Sequence, residues 1–180
     1  MIYDYVDIHV PILERMYHKR LNGYAQIGYK TLPAHGQSDK ISMIYDANNF
    51  SAVMKNDFTT AKKEILIASP FLRKKRIDTI LEWLKEPMQA GISITVITRS
   101  AELYKEPEQI KECIEYLRQR SVAVVHKPAI HQKFILIDNR LVWYGNLNLL
   151  SYGNSEESIM RLESRELVRA LKAIADKEQR

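Results

Sequence analysis

Residues 65–69, Ile-Leu-Ile-Ala-Ser, and residues 92–98, Ile-Ser-Ile-Thr-Val-Ile-Thr, are two short apolar runs that enclose a stretch of helical pattern. Short runs rich in isoleucine and valine are typical of buried strands. Between them, apolar residues recur at intervals of three and four: Ile77, Ile80, Leu81 and Leu84. The predicted helix covers about residues 75–86, with Pro87 and Gly91 as its stop. This order of strand, helix and strand is the unit from which parallel sheets are built.

The same alternation continues on both sides of this unit. Upstream, a short strand at residues 42–45 precedes a helix at about residues 50–63. Downstream, a helix opens at Glu106-Pro107, where proline suits the first turn, and leads to a strand at residues 122–126. The alternation predicts an α/β fold with a mixed, mainly parallel β-sheet flanked by helices.

Two further apolar runs, residues 133–137 and 141–145, flank Asp138-Asn139-Arg140. Because this tripeptide is a good tight-turn sequence, we expect an antiparallel hairpin added to the sheet. A strand near residues 159–162 and a helix at residues 165–177 complete the predicted pattern.

The regular pattern begins at about residue 41. Residues 1–40 fit this pattern poorly: a possible helix at about residues 12–21 is followed by scattered glycine and proline without a sustained period, so they are predicted to be an N-terminal extension or the end of a preceding domain. Residues 41–180 are predicted to form a single domain. The apolar fraction of the whole chain, 46%, is enough to fill a core.

The composition also bears on partners and location. The 180 residues carry a net charge of +5, with a pI near 9.2, which favours a polyanionic partner such as nucleic acid. The longest apolar stretches are strand-sized, well below the roughly 20 residues that cross a membrane. The first residues lack the order of a secretory signal. We therefore expect a cytoplasmic protein with no membrane partner.

Four consecutive cations, Arg73-Lys74-Lys75-Arg76, follow the first of the two quoted strands. A basic cluster of this kind fits a phosphate-binding surface, so all four are candidate substrate-binding residues. The alternative is that they form only the solvated start of the predicted helix.

The most informative segment begins at His131-Gln132-Lys133. Asp138 follows the lysine after four residues, and Gly145-Asn146-Leu147-Asn148 follows the aspartate after six more. This spacing, H-x-K-x4-D-x6-G-x-x-N, resembles the HKD signature of the phospholipase D superfamily. The resemblance extends in element order over residues 41–171, and its specific part is residues 131–157. It implies a phospholipase D-like α-β-α sandwich and an enzyme that cleaves or transfers phosphodiesters.

The spacing within the motif gives an independent check. His131 and Lys133 are two residues apart on a predicted strand, so both side chains leave the same face, as a nucleophile and a phosphate-binding cation must. Asp138 is an odd number of residues from both, and we expect it to point to the opposite face or lie in the turn. It is therefore predicted to order structure rather than catalyse. Asn146 and Asn148 share a parity of their own and can both reach one phosphate as amide donors.

The sequence departs from the family at one position. Members usually have serine directly after the glycine, whereas this chain has Asn146 after Gly145, and both residues are assigned here to substrate binding. An amide can replace a hydroxyl as a donor, but it is longer and changes the geometry. Downstream, the acidic residue that orients the catalytic histidine in the family is expected at Glu156 in preference to Glu157.

The resemblance also implies a mechanism. One His131 attacks phosphorus to form a phosphohistidine, while a second histidine protonates the leaving oxygen and then activates water. Lys133 and Asn148 stabilise charge on the phosphoryl oxygens, and Glu156 fixes the tautomer of His131. No metal ion or other cofactor is expected. His126 lies five residues before His131, but no cysteine or carboxylate stands nearby at a spacing that suits a metal site.

Substrate and assembly are expectations of the same resemblance. Small members with one HKD motif are commonly nucleases, which together with the basic charge favours nucleic acid, DNA more than RNA. Because the chain contains a single H-x-K, we expect a homodimer in which two copies of His131 share one site. The alternatives are a phospholipid hydrolase or transferase, and a non-catalytic nucleic-acid-binding or dimerisation module. Similar domains are appended to helicase-like or restriction proteins, so this chain is also a candidate part of a larger protein.

Overall fold

The computed structural model describes residues 40–151 and 157–176. Its strands are β1 (Lys40–Asp46), β2 (Glu64–Ala68), β3 (Ser93–Thr98), β4 (Ala123–His126), β5 (Phe134–Ile137), β6 (Leu141–Gly145) and β7 (Ser158–Glu163). Its helices are α1 (Phe50–Thr59), α2 (Lys74–Gln89), α3 (Pro107–Arg118) and α4 (Arg165–Asp176), with a short 3₁₀ turn at Ala101–Leu103. The extension predicted at residues 1–40 lies, apart from Lys40, outside the described residues, so its boundary with the domain stays a prediction.

The strands form a seven-stranded sheet in the order β1-β7-β6-β5-β2-β3-β4. Strands β2 and β4 both run parallel to β3, which lies between them. The other four neighbouring pairs are antiparallel. The prediction of a mixed α/β sheet flanked by helices is confirmed, but the prediction that the sheet is mainly parallel is wrong.

The connections between strands explain this correction. Among neighbouring strands, only β2, β3 and β4 are joined by crossover helices, which return the chain in the same direction. Strand β5 follows β4 through a loop without a helix, and the turn at residues 138–140 forces β6 to return antiparallel. Strands β7 and β1 extend this antiparallel half of the sheet.

Side chains alternate between the two faces of the sheet, as the period of a strand requires. On β2, Ile65 and Ile67 belong to one core and Ala68 to the other. The first core includes the buried faces of α1, α2 and α3, and the second includes Val168 and Leu171 of α4. The sheet is therefore the middle layer of an α-β-α sandwich, with three helices on one side and one on the other.

Helix α2 continues through the proline that was predicted to help end it. Pro87 lies inside α2, and Gly91 follows the helix with a φ of 78°. The N–H of Gly91 donates to Met88 O at 3.1 Å and that of Ile92 to Pro87 O at 3.0 Å, the two bonds of a Schellman motif. The prediction for Pro87 is wrong, because glycine in left-handed backbone, and not the loss of one N–H, ends this helix.

One buried ion pair joins α1 to the sheet. Asp57 on α1 accepts two hydrogen bonds from Arg161 on β7, from Nε at 2.7 Å and from Nη2 at 2.9 Å. It also accepts the indole N–H of Trp143 on β6 at 2.9 Å. Asp57 is 3% exposed, and its hydrogen bond to Arg161 raises the pKa of that guanidinium above its usual range. A single carboxylate thus holds one helix and two strands together.

Removing this carboxylate takes away the acceptor that the Trp143 indole and the Arg161 guanidinium share, although the guanidinium keeps its contact with Glu163 Oε1 at 3.4 Å. We expect Asp57→Ala to lower the free energy of unfolding by about 3–5 kcal/mol, the usual cost of breaking a buried ion pair from one side. Urea denaturation followed by tryptophan fluorescence measures the change. Glu108→Gln is the control, because the ion pair of Glu108 with Lys111 is exposed and such pairs contribute at most about 1 kcal/mol. Equal losses in the two variants would contradict this role of Asp57.

Candidate active site

The sheet topology brings the residues of the motif to one end of the sheet. Ala68, at the carboxyl end of β2, is paired with Phe134, where β5 begins. Phe134 is in turn paired with Tyr144 near the end of β6, and Gly145 with Ile159 near the start of β7. The loops that follow β2, β3, β4 and β6 therefore meet at this end, together with the start of β7.

His131 and Lys133 lie directly before β5. The predicted strand begins at Lys133, whereas the observed one begins at Phe134, so strand parity does not fix the direction of the His131 side chain. Gly145 N nevertheless donates to Lys133 O at 3.3 Å, and Lys133 Nζ donates to His131 O at 3.4 Å. The lysine side chain thus bends back toward the exposed histidine and brings its cation to the same end of the sheet.

Arg99, which the spacing of the motif does not include, contacts His131. Its Nη2 lies 2.8 Å from Nδ1 and 2.7 Å from Nε2 of the imidazole, and its Nε donates to Ile130 O at 3.0 Å. Arg99 directly follows β3, at the same carboxyl end as β2. That position was the available signal, because polar residues after parallel strands commonly line a functional crevice.

The loop that carries His131 is anchored at its start by Lys127. Its backbone N–H donates to Thr98 O at 2.8 Å, and Ile130 N–H donates back to Lys127 O at 3.1 Å. The Lys127 ammonium donates to the carbonyls of Ile174 and Ala175 near the end of α4. A cation at the carboxyl end of a helix satisfies carbonyls that lack intrahelical donors. This loop is therefore fixed both to the sheet and to α4.

Asn148 is buried and bonded inside its own loop. Its Oδ1 accepts the hydroxyl of Ser69, which follows β2, and its Nδ2 donates to Ser151 Oγ. The Ser69 hydroxyl oxygen also accepts Leu150 N–H at 3.2 Å. Asn148 is 4% exposed and Ser69 is fully buried. The amide therefore ties the loop after β6 to the end of β2, and its proposed role as a phosphate donor stays a prediction.

Gly145 and Asn146 fix the approach of β6 to β7. A Cβ atom on Gly145 would lie 2.7 Å from Ile159 Cα and closer still to Ser158 O, so only glycine permits this spacing. Asn146 Oδ1 accepts Ser158 N–H at 2.6 Å, and Asn146 N donates to Ser158 O at 3.1 Å. The amide oxygen is therefore engaged at the start of β7, and the binding roles predicted for both residues remain predictions.

Of the two candidate acidic residues, Glu156 lies outside the described residues. Glu157 is partly buried directly before β7, and its Oε2 is buried without a hydrogen-bond partner in the part of the chain that the structure describes. A buried carboxylate oxygen at this end of the sheet requires a donor. This observation favours Glu157, which the sequence analysis placed second to Glu156.

Asp138 lies at the opposite end of the sheet from His131. It occupies the turn between β5 and β6 with a φ of 55°. Its Oδ1 accepts the backbone N–H of Lys63 at 2.8 Å, and the N–H groups of Lys62 and Glu64 lie within 3.2 Å of its carboxylate. The carboxylate therefore holds the segment that leads into β2, far from the other residues of the motif.

The four cations of the basic cluster have different surroundings. Arg73 is the N-cap of α2 and the other three open its first turn. Lys74 pairs with Asp78 at 3.4 Å and lies 3.3 Å from the centre of the Tyr116 ring, so it is committed to the contact between α2 and α3. The Tyr116 hydroxyl, together with Lys74, holds the pKa of Asp78 below its usual value. Arg73 and Lys75 are exposed and are the better candidates for a phosphate.

Neither a metal-binding cluster nor a membrane-spanning helix occurs in the described part of the chain. Within residues 40–151 and 157–176, no group of three or more histidine, cysteine, aspartate or glutamate side chains could hold a metal ion. Over the same residues, no helix combines the length and apolar character needed to cross a bilayer.

Comparison with known proteins gives one family match and several structural neighbours. No curated protein sequence matches the chain significantly. The family described as "Cardiolipin synthase, PLD-like domain" matches residues 54–178. Among solved structures, NucT from Helicobacter pylori superposes with a TM-score of 0.59 at 15% identity, covering 73% of this chain and 91% of that one. Nuc from Salmonella typhimurium, described as a phospholipase D family member, gives 0.58 at 13% identity, with 73% and 88% covered.

A third likeness is to phosphatidylserine synthase from Haemophilus influenzae, with a TM-score of 0.53 at 12% identity over 89% of this chain and 44% of that one. These likenesses, at low identity, concern the fold. The α-β-α sandwich is the fold that this chain shares with these neighbours, and its H-x-K segment lies at one end of the sheet. The chain belongs to the phospholipase D superfamily, since the family match covers most of its length. Membership supports an enzyme that hydrolyses or transfers phosphodiesters.

The positions of Asp138 and His131 predict different consequences of mutation. We expect Asp138→Asn to lower the free energy of unfolding by about 1–3 kcal/mol, because an amide has one acceptor oxygen and places an NH2 group among backbone N–H donors. The folded protein should keep its turnover of a chromogenic phosphodiester. His131→Ala should fold normally and lose turnover. Denaturation curves and rates measured below the transition separate the two, and a folded but inactive Asp138→Asn protein would contradict the assignment.

Proposed function

We propose that the chain is a metal-independent phosphodiesterase that cleaves nucleic acid through a covalent phosphohistidine, in a site shared by two copies. The observation that carries the proposal is the exposed His131, whose imidazole contacts Arg99 and whose backbone carbonyl accepts a hydrogen bond from Lys133 Nζ. An imidazole nitrogen is a suitable nucleophile for phosphorus, and the cations are suited to the phosphoryl oxygens.

In the first step, a ring nitrogen of His131 attacks phosphorus, and the bond to the leaving oxygen breaks as the phosphohistidine forms. The leaving oxygen takes a proton from a second histidine. That histidine then removes a proton from water, the water oxygen attacks phosphorus, and the nitrogen–phosphorus bond breaks. Lys133 stabilises charge on the phosphoryl oxygens, a task that metal ions perform in other phosphoryl-transfer enzymes.

Asn148 and an acidic residue complete the proposed site. The Asn148 amide has two N–H groups, of which one is used by Ser151, so a second can serve a phosphate oxygen. The acidic residue accepts from the ring nitrogen of His131 that does not attack, which fixes the tautomer. Both Glu156 and Glu157 are candidates, and the buried, unpartnered Oε2 of Glu157 among the described residues favours Glu157.

The need for a second histidine supports a shared site. Among the described residues the other histidine is His126, at the end of β4. Strands β2 and β3 separate β4 from β5, and the His126 ring contacts Arg118 on α3 at 3.3 Å. The described contacts of His126 do not include His131. A two-fold pair would bring two copies of His131 together across the axis around a single phosphate.

Nucleic acid is the proposed substrate because the chain is basic and its exposed cations lie near the candidate site. The net charge is +5, and the N-terminus of α2, with Arg73, follows the same end of β2 as the motif. Cations at a helix N-terminus combine with its exposed N–H groups to favour phosphate. DNA is favoured over RNA as the first substrate to test.

A phospholipid substrate is the second candidate function. It is favoured by the description of the matching family, which names cardiolipin synthase. The two candidates share the phosphohistidine chemistry and differ in the leaving group. Hydrolysis or transfer of vesicle phospholipids without cleavage of DNA or RNA would decide for the lipid, and binding of DNA without any turnover would decide for a non-catalytic module.

The first test of the proposed chemistry is its independence of metal. Labelled DNA, labelled RNA and a chromogenic phosphodiester are incubated with and without EDTA, after extensive dialysis against chelator. We expect full activity in EDTA, because histidine and lysine carry the steps that a metal cluster would otherwise carry. Loss of activity on chelation that is restored by a divalent ion would overturn the mechanism.

The second test addresses the shared site. His131→Ala protein is mixed with an equal amount of wild type under conditions that exchange subunits. If each site needs two copies of His131, only about a quarter of the dimers keep both, and activity should fall to about half of that of the wild-type protein present. Addition of Asp138→Asn protein in place of His131→Ala is the control. Activity that depends only on the amount of wild-type protein would show that each chain works alone.

A further inference from the structure

Phe71 is an exposed aromatic ring on the loop that follows β2, at the same end of the sheet as the candidate site. It follows β2 by three residues, and 41% of its surface is exposed. Its loop is held from two sides: the Tyr104 hydroxyl donates to Pro70 O, and Arg73 N–H donates to Leu150 O at 2.8 Å. The Tyr104 ring meets Phe71 edge-on, with 6.0 Å between centres and an angle of 80°. The Phe71 ring is thereby oriented and still open to solvent.

Arg99 connects this ring to the proposed nucleophile. Its Cζ lies 5.2 Å from the centre of the Phe71 ring, while its Nη2 contacts both ring nitrogens of His131. The Arg99 guanidinium therefore lies between the exposed Phe71 ring and the imidazole nitrogens of His131, one of which would attack phosphorus. A cation over an aromatic ring is a stable arrangement that also leaves the N–H groups at its edge available.

The Arg99 guanidinium has no counter-charge among the described residues. Within residues 40–151 and 157–176, no carboxylate forms an ion pair with it, although the side chain is only partly exposed. Its described partners are the neutral carbonyl of Ile130 and the imidazole of His131. Arginine prefers bidentate contact with carboxylate or phosphate. A phosphate would therefore draw its Nη groups away from the imidazole and free the ring nitrogen for attack.

We infer that Phe71 and Arg99 form a clamp for one nucleotide of a single strand, with Arg99 on the phosphate and Phe71 stacked on a base. This inference rests on the proposed nucleic-acid substrate and specifies its form. In a duplex, both faces of each base are covered by neighbouring bases, so an aromatic side chain outside the helix has no base face to contact. In a single strand every base offers such a face, and stacking tolerates any sequence.

The experiment measures binding in protein that carries His131→Ala, so that no cleavage interferes. Fluorescence anisotropy follows a labelled oligothymidylate and the same strand annealed to its complement. Phe71→Ala and Phe71→Leu remove the aromatic ring, whereas Phe71→Trp keeps one. Ile44→Ala is the matched control, because Ile44 is an exposed apolar residue on β1, which three strands separate from β2.

We expect the alanine and leucine variants to bind the single strand roughly tenfold more weakly, the scale of one lost stacking contact. The tryptophan variant should bind it at least as tightly as the parent, and Ile44→Ala should be unchanged. The parent should prefer the single strand to the duplex, and this preference should shrink in Phe71→Ala. Arg99→Ala should weaken binding and reduce its salt slope by about one, as expected for one phosphate contact.

Equal binding of both strand forms, or a leucine variant that binds like the parent, would overturn the clamp. So would a shift in the monomer–dimer equilibrium of Phe71→Ala without nucleic acid, measured by sedimentation, because the ring would then belong to a contact between copies. Failure of the nuclease proposal is distinguishable. In that case the wild-type protein cuts neither strand form, while its His131→Ala version still binds single strands through Phe71.

Discussion

The antiparallel pairing of β5 with β2 determines where the proposed catalytic residues lie. Because Phe134 is paired with Ala68, the chain enters β5 at the end where β2 and β3 leave the sheet. Reversing that one strand would carry His131 to the far end and separate it from Arg99. The β5–β6 turn then returns the chain, so that Gly145 reaches the same end. The position of the candidate site thus depends on the direction of β5. The buried side chains of β5 and the hydrogen bonds of Asp138 in the turn that follows hold this strand in place.

Much of the fold could be predicted from periodicity, because the strands and helices bury continuous apolar faces. The direction of the strands could not, since pairing is decided by contacts between segments far apart in sequence. Helix α2 illustrates the same limit at short range. Pro87 is a strong local signal, yet the helix continues through it to Gln89 without the hydrogen bond that its N–H would have made, and the bonds donated by Gly91 and Ile92 end the helix.

The spacing of the motif predicts His131 and Lys133 as candidate site residues, but it could not supply their neighbours. Arg99 is separated from His131 by a helix and a strand, and no spacing rule connects the two. The motif alone also does not show which of its residues have a structural role. Gly145 has a steric reason to be glycine, and Asn148 is buried in a hydrogen-bonded loop. A residue that matches a catalytic motif can therefore have a structural role, such as permitting close strand packing or holding a loop by hydrogen bonds.

The Lys127 anchor has a consequence for dynamics. The same residue that positions the loop before His131 through its backbone holds the last carbonyls of α4 through its ammonium. The last turn of a helix frays with little free-energy cost, far below that of global unfolding. Each fraying event at α4 releases the Lys127 ammonium, and with it one of the two attachments of the loop, whereas the bond from Lys127 N–H to Thr98 O in β3 is kept. The rigidity of the loop that carries His131 is thereby linked to the stability of the last turn of α4.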